Sequence, residues 1–400
     1  MYRGNIMERF DNAAKHLHGR NAINSIEDLL IFCQKQGYIT EYQEPFRTGK
    51  PGYSAKQFYA PYLIIFDDGT KWILFSTTSM KTDRIKGQQW DASNIKEIDK
   101  SILKCYLVYP DDVTDTARAE FVRQNEKYIS HKEFSAIDQI ISQEELYALI
   151  EEQATKDLSV GKMKDLQGRT YESRLAEILS AEQNIIKWKT NNITAVGLHY
   201  STFLQVVETL KLTPQDTLSI YATADKKEIG LLPTRGNPKT DVLLKATTTS
   251  GVVTHTISCK KSSEDIVSVH QFSADACVAA LNSPNQTLCE LIYKFQELPT
   301  LTAFGIENGE ALTRELKPHL KELSLWALGG IGGIGDPTTQ WAEFILTYSS
   351  KTKTTSIHTV EEYYEKLLSA NITGHFGTVF QWTYPSKQRG KNIQFKVKIL

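Results

Sequence analysis

The chain has 400 residues, enough for about two domains with cores of their own. Hydrophobic residues make up 40% and charged residues 23%, an ordinary globular composition that excludes a disordered chain, and no run reaches the length of a membrane span. A formal net charge of −1 excludes a globally basic nucleic-acid binder, so any nucleic-acid footprint has to be local.

Cys33, Cys105, Cys259, Cys277 and Cys289 are scattered without a CxxC pair, so neither a zinc site nor a disulfide framework is expected. Reduced thiols and a cytoplasmic location are the default. Residues 1–20 are charged throughout and read as lacking a signal core.

In chain order, the first expected domain is a small α+β unit over about 1–155. Ile23–Lys35 has a helical pattern, with Ser25 expected as N-cap and Glu27 and Asp28 in the first turn. Tyr62–Phe66, the turn Asp67-Asp68-Gly69 and Lys71–Thr77 read as a hairpin. The polar stretch with Lys81, Arg84, Lys86, Trp90 and Lys96 reads as a loop. There Trp90 is either packed in the core or free to stack on a base. Lys104–Tyr109 is a strand stopped by Pro110, and helices fill Asp112–Glu152.

A boundary is expected in the polar stretch Ala154–Leu166, and a second domain over 160–400. A helix from Gly168 to Trp188 places Glu172, Leu175, Leu179 and Ile186 on one face. Glu172 on that apolar face reads either as a partner of the helix dipole or as a carboxylate aimed inward. Ser219–Thr223 and Glu228–Leu232 read as short strands or loop.

The stretch Gly236–Ser263 reads as a β-hairpin, with Val242–Thr249 and Val252–Ile257 joined at Ser250-Gly251. A turn there places Asp241 opposite Lys260, with Ser258 on the same face as the lysine. A carboxylate, a hydroxyl and an ammonium would meet at the open end of the hairpin. That set suits metal-assisted hydrolysis: the aspartate holds a hard divalent cation such as Mg²⁺, and the lysine orients or deprotonates a water. The plainer reading is an ion pair closing a hairpin.

Downstream, Ser273–Leu281 and Thr287–Glu297 read as scaffold helices, the first capped by Ser273, the second with Leu288, Leu291, Ile292 and Phe295 on one face. The string Gly330-Ile331-Gly332-Gly333-Ile334-Gly335 matches GxGxxG but lacks the following helix and acid of a dinucleotide site. It reads as a loop that brings backbone close to something else, in a DNA enzyme the sugar-phosphate chain. Phe344, Leu346 and Tyr348 alternate as in a strand. No acid follows Glu365, and the β-rich runs Thr378–Tyr384 and Ile393–Ile399 flank a basic loop. Such a hairpin suits a DNA groove, where Arg or Lys pairs with guanine and Gln with adenine or a phosphate.

Two separated motifs carry a family resemblance. Pro238-Lys239-Thr240-Asp241, a strand, and Ser258-Cys259-Lys260-Lys261-Ser262-Ser263 resemble the PD-(D/E)xK core of the MspI-type restriction endonucleases. Phe376-Gly377-Thr378, Trp382-Thr383-Tyr384 and Ile393-Gln394-Phe395-Lys396 resemble that family's C-terminal pattern. The resemblance covers about 160–400 and departs at Ser258, where the family has Asn or Gln. It implies an α/β (α+β) restriction-endonuclease-like fold, a mixed sheet flanked by helices, behind an extra N-terminal α+β domain.

It also implies a type II enzyme that hydrolyses double-stranded DNA at a short GC-rich palindrome, leaving 5′-phosphates, in the cytoplasm of a bacterium or archaeon. Mg²⁺ is the implied cofactor, with Mn²⁺ able to substitute. The catalytic set is Asp241, Lys260, Glu172 and Ser258. The metal set is Asp241, Glu172 and the main-chain carbonyl of Cys259. The DNA-binding set is Lys261, Ser262, Ser263, Gln271, Ser386, Lys387, Gln388, Arg389, Lys391, Gln394 and Lys396. Monomer and homodimer both stay open. Two alternatives stand beside this reading: a DNA-binding protein with a weakened or inactive site, Ser258 being the sign of decay, and a repair nuclease without sequence preference. A second nuclease core on Asp67, Asp68 and Lys81 is set aside, because Lys81 does not fall in a strand-embedded x-Lys position.

Overall fold

A computed structural model describes residues 12–49, 57–79, 81–129, 135–262, 264–298, 300–385 and 387–400. The chain forms two compact units, one from residues up to Leu166 with Ala181–Phe203, the other from Gln167–Ser180 with Leu204–Leu400.

In order, the elements begin with α1 (Asn12–Lys35), β1 (Glu41–Gln43), β2 (Phe46–Thr48), β3 (Phe58–Ala60), β4 (Tyr62–Ile65), β5 (Lys71–Ser76), α2 (Thr82–Ile98), β6 (Ile102–Tyr109), α3 (Asp115–Tyr128), β7 (Gln139–Ser142) and α4 (Gln143–Thr155). Then come α5 (Val160–Ser180), α6 (Glu182–Thr190), α7 (Tyr200–Thr209), β8 (Thr217–Thr223), α8 (Lys226–Ile229), β9 (Val242–Thr248), β10 (Gly251–Ser262) and β11 (Ile266–Phe272). The last are α9 (Ala274–Leu281), α10 (Gln286–Glu297), α11 (Leu301–Phe304), α12 (Ile306–Leu316), α13 (Leu320–Gly329), β12 (Phe344–Ser349), β13 (Thr354–Thr359), α14 (Val360–Ser369), β14 (Gln381–Thr383) and β15 (Ile393–Lys398).

The first unit is built on a sheet of order β1-β4-β5-β6-β7. Strands β1, β4 and β5 pair antiparallel, and β5, β6 and β7 pair parallel. One core contains Leu29, Leu30, Tyr62, Ile64 and Leu74; another contains Leu63, Ile73, Phe75 and Leu107, as alternation along a two-faced sheet requires. Ala181–Phe203 joins this unit through polar anchors. Lys187 pairs with Asp112, the Gly197 N–H donates to Asp112 Oδ2 at 2.6 Å, and Asn184 holds the Leu198 backbone through both amide atoms.

The second unit carries a sheet of order β13-β12-β10-β9-β8 and a smaller one of order β11-β15-β14. Here β8, β9 and β10 pair antiparallel, and β10 pairs parallel with β12. A helix–meander–crossover plan thus occurs twice, once per unit, and the sheets differ at the last strand, since β13 runs antiparallel to β12. The smaller sheet buries Ile393, Phe395, Val397 and Trp382 in a core with Phe295 and Trp326. The stripe Leu288, Leu291, Ile292 and Phe295 brings α10 into that core.

Several local expectations change. Ser25 lies inside α1, where its hydroxyl donates to the Ala22 carbonyl, because the helix already begins by Asn12. The stretch with Arg84 and Lys86 is helix α2, with Lys81 as its extended N-cap; the helix is anchored by buried Ile85, Ala92 and Ile95, and Trp90 is 66% exposed rather than core. The polar residues before Gly168 already belong to α5. The expected single helix to Trp188 breaks at Ala181, whose extended backbone (ψ 118°) separates α5 from α6. Glu228 and Ile229 are helical in α8, capped by the Asp225 carboxylate. The Gly330–Gly335 loop makes its close approaches inside the protein: a Cβ at Gly330 would lie 2.9 Å from Lys239 Cγ, and one at Gly333 2.6 Å from Trp326.

Candidate nuclease site

The site lies where β9 begins. The pairing register runs from Gly251↔Thr248 to Ile257↔Val242, so the two-residue turn is Thr249-Ser250. One step further, Asp241 opposes Ser258 rather than Lys260, two residues from the expected register. The Asp241 N–H donates to the Ile257 carbonyl at 2.9 Å, which extends the ladder to the aspartate.

The side chains converge all the same. Asp241 Oδ2 accepts from Ser258 Oγ at 3.1 Å, from the Cys259 N–H at 2.8 Å and from Lys260 Nζ at 3.2 Å. Lys260 Nζ also donates to Ser258 Oγ at 2.8 Å and to the Cys259 carbonyl at 2.9 Å, so its three N–H groups each have an acceptor. Ser258 is fully buried and ties the carboxylate to the ammonium. Burial works against the charge on Lys260, yet the Asp241 carboxylate, which accepts its hydrogen bond, and the nearby Glu172 hold its pKa above the usual lysine value. Burial, with Asp241 and Glu172 nearby, pushes the Cys259 thiol well up, so the sulfur stays protonated.

Glu172 comes to the site from the middle of α5. Because that helix starts at Val160, the residue is far from its N-terminus and the dipole reading no longer applies. Leu175 and Leu179 on the same helix are buried. The Glu172 carboxyl is pushed up to about 7, first by burial and then by the Asp241 charge, against the pull of Lys226, Lys260 and Arg169. Lys226, which sequence reasoning missed, stands 3.9 Å from Glu172 Oε2 and 3.7 Å from Asp241 Oδ1. It lies between the stretches Ser219–Thr223 and Glu228–Leu232, and Lys227 beside it looks equivalent in the sequence.

No cluster of three or more His, Cys, Asp or Glu side chains suited to a metal occurs among the described residues. The donors near β9 are nonetheless oxygens: the Asp241 and Glu172 carboxylates and the carbonyls of Thr240 and Cys259. An oxygen set with few protein ligands fits a hard divalent cation that keeps several waters, and it does not fit zinc. The elevated Glu172 carboxyl marks a place where added positive charge is favourable.

Lys239, inside the Pro238–Asp241 motif, turns away from the site. Its Nζ donates to the Val269 and Ala327 carbonyls, both at 2.6 Å, and burial with Lys260 nearby pushes its pKa well down. It fastens the start of β9 to β11 and α13.

The expected DNA-binding residues divide into groups. Ser263 and Ser386 lie outside the described residues. Lys261 Nζ stands 6.0 Å over the Tyr171 ring, and Ser262 accepts from the Glu264 N–H in a turn. Gln271 and Gln394 are partners across β11 and β15, and Lys396 pairs with Ser268. Gln271 donates to Gln388, and Gln394 donates to Ser268. Lys387, Gln388, Arg389 and Lys391 are exposed in the loop between β14 and β15. The polar face of the small sheet and this basic loop are therefore contiguous, while the opposite face is core.

In the first unit, the strand positions corresponding to the site are occupied differently. Continuing past Tyr62↔Leu74 brings Pro61 opposite Phe75, with Thr77 two residues on. None of these carries a carboxylate or an amine. Asp67 and Asp68 sit in the turn at the other end of that hairpin, with Asp68 paired to Lys156.

An antiparallel meander that hands its third strand to a parallel neighbour, with an aspartate at the start of the second strand and an x-Lys in the third, defines a restriction-endonuclease-like nuclease core. A family model described as restriction endonuclease MspI matches residues 146–397, and the chain belongs to that family. The chain is similar to the type II restriction enzyme BsuFI of Bacillus subtilis, 26% identical over 399 residues, covering 96% of this chain and 98% of that protein. It is also similar to the type II restriction enzyme MspI of Moraxella sp, 21% identical over 245 residues, covering 59% of this chain and 91% of that protein. A crystal structure of restriction endonuclease MspI in complex with its cognate DNA shares the fold. The TM-score is 0.53 at 20% identity, covering 64% of this chain and 99% of that one. The match to BsuFI reaches the N-terminal region, which the motif resemblance left outside.

Proposed function

We propose that this chain is a type II restriction endonuclease that hydrolyses double-stranded DNA in a Mg²⁺-dependent reaction at a short GC-rich palindrome. The observation that carries the reading is the junction of Asp241, Ser258 and Lys260 at the mouth of β9 and β10, in a member of this family. The nuclease chemistry belongs to the second unit, and the first unit is an accessory one.

Asp241 and Glu172 would hold the cation, with the Cys259 carbonyl as third protein ligand. When bound, Mg²⁺ supplies an acidified water and neutralises charge on the phosphate. Lys260 would orient the attacking water and stabilise the developing negative charge. Ser258 keeps carboxylate and ammonium in register. The Cys259 N–H holds Asp241 Oδ2, which leaves Oδ1 as the oxygen that would take the cation. Lys261, Ser262, Gln271 and the basic loop with Lys387, Gln388, Arg389 and Lys391 take the phosphates and base edges, with Gln394 and Lys396 behind them.

Among the described residues no helix is long and apolar enough to cross a membrane. Cytoplasmic action on DNA is part of the reading. The test is incubation of unmethylated and CpG-methylated plasmid DNA with Mg²⁺, Mn²⁺ or EDTA. Discrete metal-dependent fragments with 5′-phosphates are expected. A smear would favour the unspecific nuclease, and intact DNA in every lane would leave a DNA-binding protein without cleavage.

A further inference from the structure

Asp241 offers its two carboxylate oxygens to two different lysines. Oδ2 belongs to Lys260, Ser258 and the Cys259 N–H, all within 3.2 Å. Oδ1 faces Lys226 Nζ at 3.7 Å, and the same ammonium lies 3.9 Å from Glu172 Oε2. It donates a hydrogen bond of 3.3 Å to the Thr240 carbonyl. Lys226 is thus surrounded by two carboxylates and one main-chain carbonyl, from α5 and from the start of β9. This is the oxygen environment a hard divalent cation selects. The two ion-pair distances exceed hydrogen-bonding range, so charge holds the ammonium there rather than a geometric clamp. Its flexible four-carbon stem allows it to withdraw. The Lys226 side chain is 31% exposed, which leaves it a path toward solvent.

We propose that the Lys226 ammonium is a built-in occupant of the cation position between Glu172 and Asp241, holding the carboxylates together without metal and yielding when a divalent cation binds. The proposal rests on the reading that these two carboxylates take the cation. Two consequences follow from charge alone. Removing the ammonium leaves an uncompensated carboxylate pair that attracts a dication more strongly, and it makes the metal-free site less stable.

The experiment is Mn²⁺ binding to the full chain without DNA, by isothermal titration calorimetry or by the electron paramagnetic resonance signal of free Mn²⁺. Wild type is compared with Lys226→Met, Lys226→Gln, Lys226→Arg and Asp241→Asn. Lys226→Gln keeps an N–H for the Thr240 carbonyl and serves if the methionine variant fails to fold. The expected result is at least tenfold tighter Mn²⁺ binding in the two neutral variants and a change below threefold for Lys226→Arg. Asp241→Asn weakens binding at least tenfold. Unchanged or weaker binding in the neutral variants, with Asp241→Asn still weakened, overturns the role of Lys226 and leaves the metal assignment standing. Unchanged binding in Asp241→Asn overturns both. A purely structural lysine would lower the melting temperature in EDTA without tightening Mn²⁺ binding, and that pattern also overturns the proposal.

Discussion

Lys260 reaches Asp241 across the diagonal of an antiparallel pair: Ser258 is the residue opposite the aspartate, and the ammonium bridges back 3.2 Å to Oδ2. Ser258 therefore occupies the centre of the cluster, accepting from Lys260 and donating to Asp241. Its side chain is fully buried, with both of those hydrogen bonds made inside the site.

Ser258→Ala removes the acceptor for one N–H of Lys260 and one donor to Asp241. Loss of a buried hydrogen-bonded pair is expected to cost about 1–3 kcal/mol in urea unfolding. Cleavage at saturating DNA should fall about tenfold or more, because Lys260 loses its fixed position. Wild-type cleavage rates in this variant would contradict the role given to Ser258.

Glu172 gives a pH dependence with a definite sign. Its carboxyl, ordinarily near 4.5, is raised to about 7 in the metal-free fold. The folded state then binds more protons than the unfolded one between these values, so stability falls as pH rises from about 4.5 to 7 and stays lowered above. Glu172→Gln is expected to remove that slope and to stabilise the metal-free protein by about 1–3 kcal/mol at pH 8. In wild type, Mn²⁺ affinity should rise about tenfold per pH unit below 7, since the proton must leave first. Urea unfolding in EDTA at pH 6 and pH 8 checks the first statement, and parallel profiles for both proteins would refute it.

Lys239 illustrates what a motif conceals. By sequence it belongs with Asp241, yet its Nζ serves the Val269 and Ala327 carbonyls. Lys239→Met should leave two enclosed carbonyls without their donor and destabilise by about 2–4 kcal/mol, a loss visible as a lower urea midpoint. Wild-type stability would show that water replaces the lysine at no cost.

Arg389 and Lys391 are exposed in the loop joining β14 and β15. If each meets a phosphate, replacing either by Ala should weaken DNA binding and lower the salt slope by about one. Fluorescence anisotropy at several salt concentrations reads both quantities. An unchanged slope would move the interface elsewhere.

Much of this was legible from local chemistry. The meander, the Asp and the x-Lys lie within one hairpin, so spacing alone brings them together. The register was misread by two residues because Ser250-Gly251 looks like the turn, whereas Gly251 already begins β10 with φ 133°. Helix α2 was hidden because Gly87 and a run of polar residues blur the stripe of Ile85, Ala92 and Ile95. Lys226 could not be found from sequence: it comes from a four-residue helix, and only tertiary folding separates it from Lys227. Glu172 was visible as an acid on an apolar face, but its depth in α5 required the true start of that helix.

The central claim is that Lys260 acts in chemistry rather than in DNA binding, and the most direct measurement pairs two assays on Lys260→Ala. Plasmid cleavage with Mg²⁺ is expected to disappear, while duplex binding measured in Ca²⁺ stays within a few-fold of wild type. Equal loss of cleavage and binding, or cleavage that survives the substitution, would contradict the assignment.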